Sequence, residues 1–183
     1  MSEHSSEDKQ DTEATTGDDD VTISMVQTTA GLVEEYLADF GDSFSRVDQG
    51  TYFAKRGSTL VGIHVVGWKD DALVHISANV VKNAELKAEL LDLLLRENFR
   101  SSFGAFGISP EGTINFRHTL LGSTLEKEQL IPAVVAVARN ADDWDDRIID
   151  LAGGETAVET LRKRGSQGDS ESADESDEGA AKG

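Results

Sequence analysis

The chain has no cysteine among its 183 residues. That excludes disulfides, thiolate nucleophiles and cysteine-ligated zinc, and it fits a reducing, cytoplasmic setting. Proline occurs twice, at Pro110 and Pro132, and aromatic residues make up only 6% of the chain. No apolar run reaches the roughly 18 residues that a membrane-spanning helix needs, and no signal-like sequence is present, so the expectation is a soluble, unexported protein. Positive charge is also scarce, with 17 lysines and arginines against 35 acids and a formal net charge of −18. A field of that sign repels phosphate, so neither nucleic acid nor a membrane surface is an expected partner. The basic run Arg162-Lys163-Arg164 reads as the cationic last turn of a helix. The motifs of catalysis are missing as well: there is no nucleophile elbow, HExxH, EF-hand or kinase signature.

What the chain does have is acid, unevenly placed. Residues 1–20 hold eight acids against one lysine, and residues 165–183 hold six against one lysine. Such stretches have almost no apolar surface to offset their ordering entropy, so both are expected to be disordered acidic tails around a single domain at residues 21–164. The acidity, with arginine exceeding lysine inside that domain, suits a halophile's salt-rich cytosol.

Within residues 21–164 the periodicities predict an α+β fold in the order α-β-β-β-α-β-β-α. An amphipathic helix is expected over Val21 to Phe40, with Val26, Ala30, Val33, Leu37 and Phe40 inward, Thr22 or Ser24 as cap and Gly41 as the stop. Strands follow at Thr51 to Arg56, Thr59 to Trp68 and Asp71 to Val81. If Lys69-Asp70 forms a two-residue loop, Trp68 pairs with Asp71, Val66 with Leu73 and His64 with His75. Alternation then puts Val61, Ile63, Val65, Val74, Ile76 and Ala78 under the helices. Leu60, His64, Val66, Trp68, Leu73, His75 and Ser77 share the other, half-apolar face.

A second helix is expected to open on Asn83 and to bury Leu86, Leu90, Leu93, Leu94 and Phe99. Gly104 to Ser109 and Thr113 to Leu121 flank Pro110-Glu111-Gly112 as a hairpin. A third helix runs from about Leu125 to about Ala152, with a capping box at Ser123 to Glu126. Pro132 either kinks this helix or opens it. Glu155 to Lys163 could add a short last helix. The result is a five-stranded antiparallel sheet with helices on one face.

Candidate chemistry is thin. His64 and His75 could face each other across two strands, but two imidazoles are too few for a metal site, so neither a metal nor another cofactor is expected. His118 points inward with Ile114, Phe116 and Leu120 and reads as a hydrogen-bonded core histidine. Asp142, Asp143, Asp145 and Asp146 read as a solvated helix face, with Arg139, Asp143 and Arg147 paired in series. Gly104-Ala105-Phe106-Gly107 lacks the following Lys-Ser or Lys-Thr of a phosphate loop.

The run Leu94-Leu95-Arg96-Glu97-Asn98, followed by Gly104-Ala105-Phe106-Gly107-Ile108 and Gly112-Thr113-Ile114-Asn115-Phe116-Arg117, resembles the YbjN-like proteins, relatives of the type III secretion chaperones. The resemblance spans Val21 to Leu151 and is strongest from Leu91 to Ile148, including Asp142-Asp143-Trp144. It implies an antiparallel sheet carrying helices on one side, commonly paired as a homodimer, and work without catalysis by holding a segment of another protein. The expected function is therefore a protein- or peptide-binding module, chaperone-like or regulatory. Val66, Trp68 and Leu73 are its expected groove, and Phe103, Phe106 and Ile108 its expected interface, through pairing of an exposed strand edge. The alternatives are a metal sensor or enzyme using His64 and His75, and a scaffold whose acidic tails recruit basic partners.

Overall fold

The computed structural model describes residues 15–57, 59–156 and 159–160; the proposed tails beyond these bounds, and the run Arg162-Lys163-Arg164, lie outside the described residues. The chain folds as α1 (Thr15–Leu37), a 3-10 helix (Ala38–Ser43), β1 (Phe44–Asp48), β2 (Thr51–Arg56), β3 (Thr59–Trp68), β4 (Asp71–Lys82), α2 (Ala88–Arg100), β5 (Ala105–Ile108), β6 (Ile114–Leu121), α3 (Lys127–Ala152) and β7 (Glu155–Thr156). The sheet is antiparallel in the order β1-β2-β3-β4-β6-β5, with β7 added to the end of β4. It has seven strands rather than five. The two extra ones are short: only Phe44 of β1 is drawn inward, and β7 has two residues.

The core alternation of the central hairpin is as the pattern requires. Val61, Ile63, Val74, Ile76 and Ala78 are buried beneath α1 and α3, and the register pairs His64 with His75, Val66 with Leu73 and Trp68 with Asp71. Lys69 supplies the left-handed residue of the turn, with φ of 54°. The α1 face that packs on the sheet is Ala30, Val33 and Leu37, and Tyr52 anchors it by donating its hydroxyl to the Ala30 carbonyl at 2.9 Å. Burial, then the nearby Glu34 charge, raises the Tyr52 phenol above its ordinary value. The helix begins six residues before the expected Val21, so Thr22 and Ser24 are interior positions, not caps. Gly41 sits inside the following 3-10 turn with φ of 52°.

Asn83 does not open α2. It takes a left-handed φ of 59° and donates its side-chain amide to Glu155, so the chain turns there and the helix begins five residues later, with Lys87 at its N-cap position. Leu90 and Leu94 dock the helix, each contributing about 1.5–3 kcal/mol of burial. Phe99, expected in that stripe, is instead 94% exposed.

The Glu126 side chain, not Ser123, caps α3, in a box closed by Gln129. Ser123 is engaged elsewhere. Its hydroxyl and backbone amide both donate to the Asp71 carboxylate, at 2.6 and 2.9 Å, pinning the start of β4 to the β6–α3 connection and holding the Asp71 carboxyl below its usual range. Pro132 lies in the second turn of a helix that runs on past it. Further along, Arg147 does not continue a ladder through Asp143; its guanidinium lies 3.9 Å from the centroid of the Trp144 ring. Glu155 to Lys163 does not form the expected helix from its start, because Glu155 and Thr156 pair with β4; residues 157–158 and 161–163 lie outside the described residues.

Candidate functional site

Because α1 and α3 pack on one side of the sheet, its opposite side carries no layer among the described residues. The register identifies what stands on that bare face. At one end Val66 opposes Leu73, Leu73 opposes Leu121, and Trp68 lies at the hairpin tip, 46% exposed with the Lys69 ammonium 4.8 Å from its ring centroid. Val66 and Leu121 are exposed too, so these four residues form one apolar cluster.

The middle of the face is polar and cationic. The His75 Nδ1 lies 3.2 Å from a guanidinium nitrogen of Arg117 and 3.0 Å from the Thr119 hydroxyl. A guanidinium can only donate, so its contact requires the ring lone pair, and hence the uncharged imidazole, at that nitrogen. Burial, then the charges of Arg117 and His64, lowers the His75 pKa in keeping with this. His64 stands across from His75, as expected. A metal there would compete with Arg117 for the same lone pair, and among the described residues no group of three or more potential ligands forms. Next to His64 is a cavity of about 360 Å³ lined by Phe53, Leu60, Gly62, Ser77, Asn79 and Lys82. A methyl group on Gly62 would come within 3.2 Å of His64 and 3.4 Å of Phe53, so glycine keeps this hollow open.

The sheet edge beyond β4 is of two kinds. β5 pairs only with Ile114 to Arg117 of β6. From His118 to Leu121 no strand lies alongside among the described residues, and a cleft of about 540 Å³ runs there, with Phe103, His118, Leu120, Leu121 and Pro132 in its walls. The His118 ring is half-buried on the inward side, edge-on to Phe103 at 5.9 Å, and burial lowers its pKa. The other part of the edge, β5, is closed by a side chain. The Asn98 amide donates to the Phe106 carbonyl at 3.1 Å, and its oxygen accepts the Phe106 N–H at 2.7 Å. An asparagine thus takes the place of a neighbouring strand.

This geometry corrects two expectations about the interface. Phe106 is only 8% exposed; it packs edge-on against Phe116 and Trp144, with centroids at 4.9 and 5.3 Å, and belongs to the core. Edge-to-edge pairing of β5 would require expelling Asn98. Phe103 and Ile108 are exposed. A feature not foreseen lies beside Ile108: Leu91, Leu95 and Phe99 form a second row on α2, spaced four apart, with Leu95 69% exposed. Leu91, Leu95 and Ile108 flank a hollow of about 280 Å³ floored by Leu94 and Phe106. Leucine at both members of the pairs 90/91 and 94/95 was the available signal, since one core-facing stripe cannot use both.

No helix among the described residues is long and apolar enough to cross a membrane. No curated protein matches the chain in sequence. Among solved structures, a chain of the ExsC-ExsE complex superposes with a TM-score of 0.53 at 16% identity, covering 68% of this chain and 96% of that one. A chain of the HopA1-SchA chaperone-effector complex gives 0.48 at 11%, covering 64% and 96%. The Yersinia pestis type III secretion chaperone SycH, in complex with a fragment of YscM2, gives 0.48 at 15%, covering 63% and 98%. The first of these likenesses shows a shared fold. The family model described as T3SS (YopN, CesT) and YbjN peptide-binding chaperone 1 matches residues 27–160, from α1 past β7, and the chain therefore belongs to this family of YbjN-like, type III secretion chaperone-related proteins.

Proposed function

We propose that the protein holds a segment of another polypeptide, as a chaperone or regulator, and performs no chemistry on it. The observation that carries this reading is the bare sheet face with Val66, Trp68, Leu73 and Leu121 gathered at one end. A rigid sheet with an apolar cluster can take the alternate side chains of an extended peptide, and the unaccompanied part of β6 offers backbone groups alongside. The family description, a peptide-binding chaperone, supports the same reading.

The homodimer is part of the proposal, moved from the β5 edge to the α2 face. Leu91, Leu95, Phe99 and Ile108 are the surface assigned to the second copy, because a row of large apolar groups on so acidic a chain is costly to leave in water. Phe103, at the mouth of the β6 cleft, goes with the client side.

The test uses a panel of extended peptides with alternating apolar residues and the full chain. A Val66→Ser, Trp68→Ala, Leu73→Ser variant that keeps its circular dichroism spectrum is expected to lose at least tenfold in affinity. Unchanged affinity refutes the site. For the dimer, Leu95→Glu with Phe99→Glu is expected to halve the mass found by light scattering, and an unaltered dimer mass refutes that interface.

A further inference from the structure

The charge on the bare face runs against the rest of the molecule. Its strand positions hold Lys55, Lys82 and Arg117 together with His64 and His75, in a chain of net charge −18. Carboxylates stand at its margins: Glu155 pairs with Lys82, Asp48 pairs with Thr51, itself the partner of His64, and Asp71, at the hairpin end, has both oxygens occupied by Ser123. The ion pairs among the described residues engage Arg46, Lys87, Arg96, Arg100 and Lys127, all off this face. Arg117 instead lies against the imidazole of His75, with His64 across the ladder. A cation directed at a neutral ring beside a second histidine, with no counter-charge in contact, is an arrangement that an incoming carboxylate would relieve.

We infer that the bare face selects an acidic segment: an extended polypeptide whose sheet-facing side chains are carboxylates over Arg117, His75, His64 and Lys55 and apolar over Val66, Trp68 and Leu73. The inference rests on the peptide-holding reading and adds the chemistry of the client. Charge complementarity argues for it locally, and the chain's overall acidity does not argue against it. At physiological ionic strength the screening length is about 8 Å, so acids farther off contribute little while contacts on the face keep their strength. Each exposed contact of this kind is worth a factor of about two, and three or four together give roughly a tenfold preference.

The experiment compares three fluorescent peptides of about 12 residues whose odd positions share one face: the first three of these are Leu, Val and Phe in every peptide, the last three are all Glu, all Gln or all Lys, and serine fills the even positions. They are titrated into the full chain by anisotropy at fixed salt. The Glu peptide is expected to bind about tenfold tighter than the Gln peptide, and the Lys peptide weakest. Replacing Arg117→Gln and Lys55→Gln is expected to abolish that preference, bringing the Glu peptide's affinity to that of the Gln peptide. Equal affinity for all three peptides, or a preference that survives both substitutions, overturns the acidic selectivity and leaves the holding reading standing. Failure of all three to bind overturns both. The chain's own residues 165–183 are the competing occupant. A Glu preference seen only in a full-length variant with Asp169, Glu171, Asp174, Glu175, Asp177 and Glu178 changed to amides would overturn the assignment to a separate partner and assign the face to that segment.

Discussion

The clasp between Asn98 and Phe106 makes a testable statement about how α2 is held. The helix is docked by Leu90 and Leu94 on one side and by this pair of hydrogen bonds at its C-terminal end, at 2.7 and 3.1 Å. Each bond contributes about 0.5–1.5 kcal/mol net, so Asn98→Ala is expected to cost about 1–3 kcal/mol in all. With a urea slope of about 1–3 kcal/mol per molar, the midpoint falls by roughly 1 M. Asn98→Asp sharpens the test because its shape is nearly unchanged. One carboxylate oxygen still accepts the Phe106 N–H, but the other is driven against the Phe106 carbonyl, where the amide had donated. That contact raises the carboxyl's folded pKa above its unfolded value. The aspartate variant should therefore be at least as destabilised as the alanine variant at neutral pH, and should recover as pH falls through the raised folded pKa and the carboxyl regains a proton to donate. Urea titrations at several pH values, followed by circular dichroism, measure all of this. An Asn98→Ala unfolding free energy within about 0.5 kcal/mol of the parent, or an aspartate variant that gains nothing in acid, would refute the reasoning.

Three further outcomes rest on the packing. Gly104→Ala should cost about 1–3 kcal/mol or more, since its φ is +75° and an added methyl carbon would stand 2.4 Å from the Arg117 carbonyl oxygen; chemical denaturation reads the loss. Tyr52→Phe removes the hydroxyl that bonds the Ala30 carbonyl and should cost about 1 kcal/mol, seen as a melting point lower by several degrees. Burial lowers the folded pKa of both His75 and His118, so their contribution is complete above about pH 6.5 and is lost as pH falls from there through the depressed folded values. Titrated denaturation should show stability declining on acidification in that window, and a His75→Gln, His118→Gln variant should flatten the slope.

The sheet was legible wherever one of its faces is buried. Period-two alternation in β3 and β4 has a single solution, because a one-residue slip would turn Val61, Ile63, Val74 and Ile76 outward. The β5–β6 hairpin was legible from Pro110 and Gly112, and the glycine takes the required φ of 78°. β1 was not, since Ser45, Arg46, Val47 and Asp48 are all exposed and no alternation of burial marks the strand. Asn83 misled for a physical reason: the short polar side chain that favours helix caps also tolerates left-handed backbone, and here the second use prevails. Val66, Trp68 and Leu73 followed from alternation and stand together on the bare face. Phe106 could not be placed without knowing that Trp144 lies above it. The role of Asn98 was equally hidden, because its bonds are to backbone eight residues away.

The contrast between the two tryptophans carries a practical consequence. Trp144 is 5% exposed, edge-on to the Phe106 ring and beneath the Arg147 guanidinium, while Trp68 is half-exposed at the far tip of a hairpin. Their emission should therefore separate by colour, a blue component that reports whether the interior is intact and a red one that shifts or quenches when the hairpin tip is covered. An unlabelled sample carries its own control: a titration that moves the red band and leaves the blue one still distinguishes occupancy from unfolding.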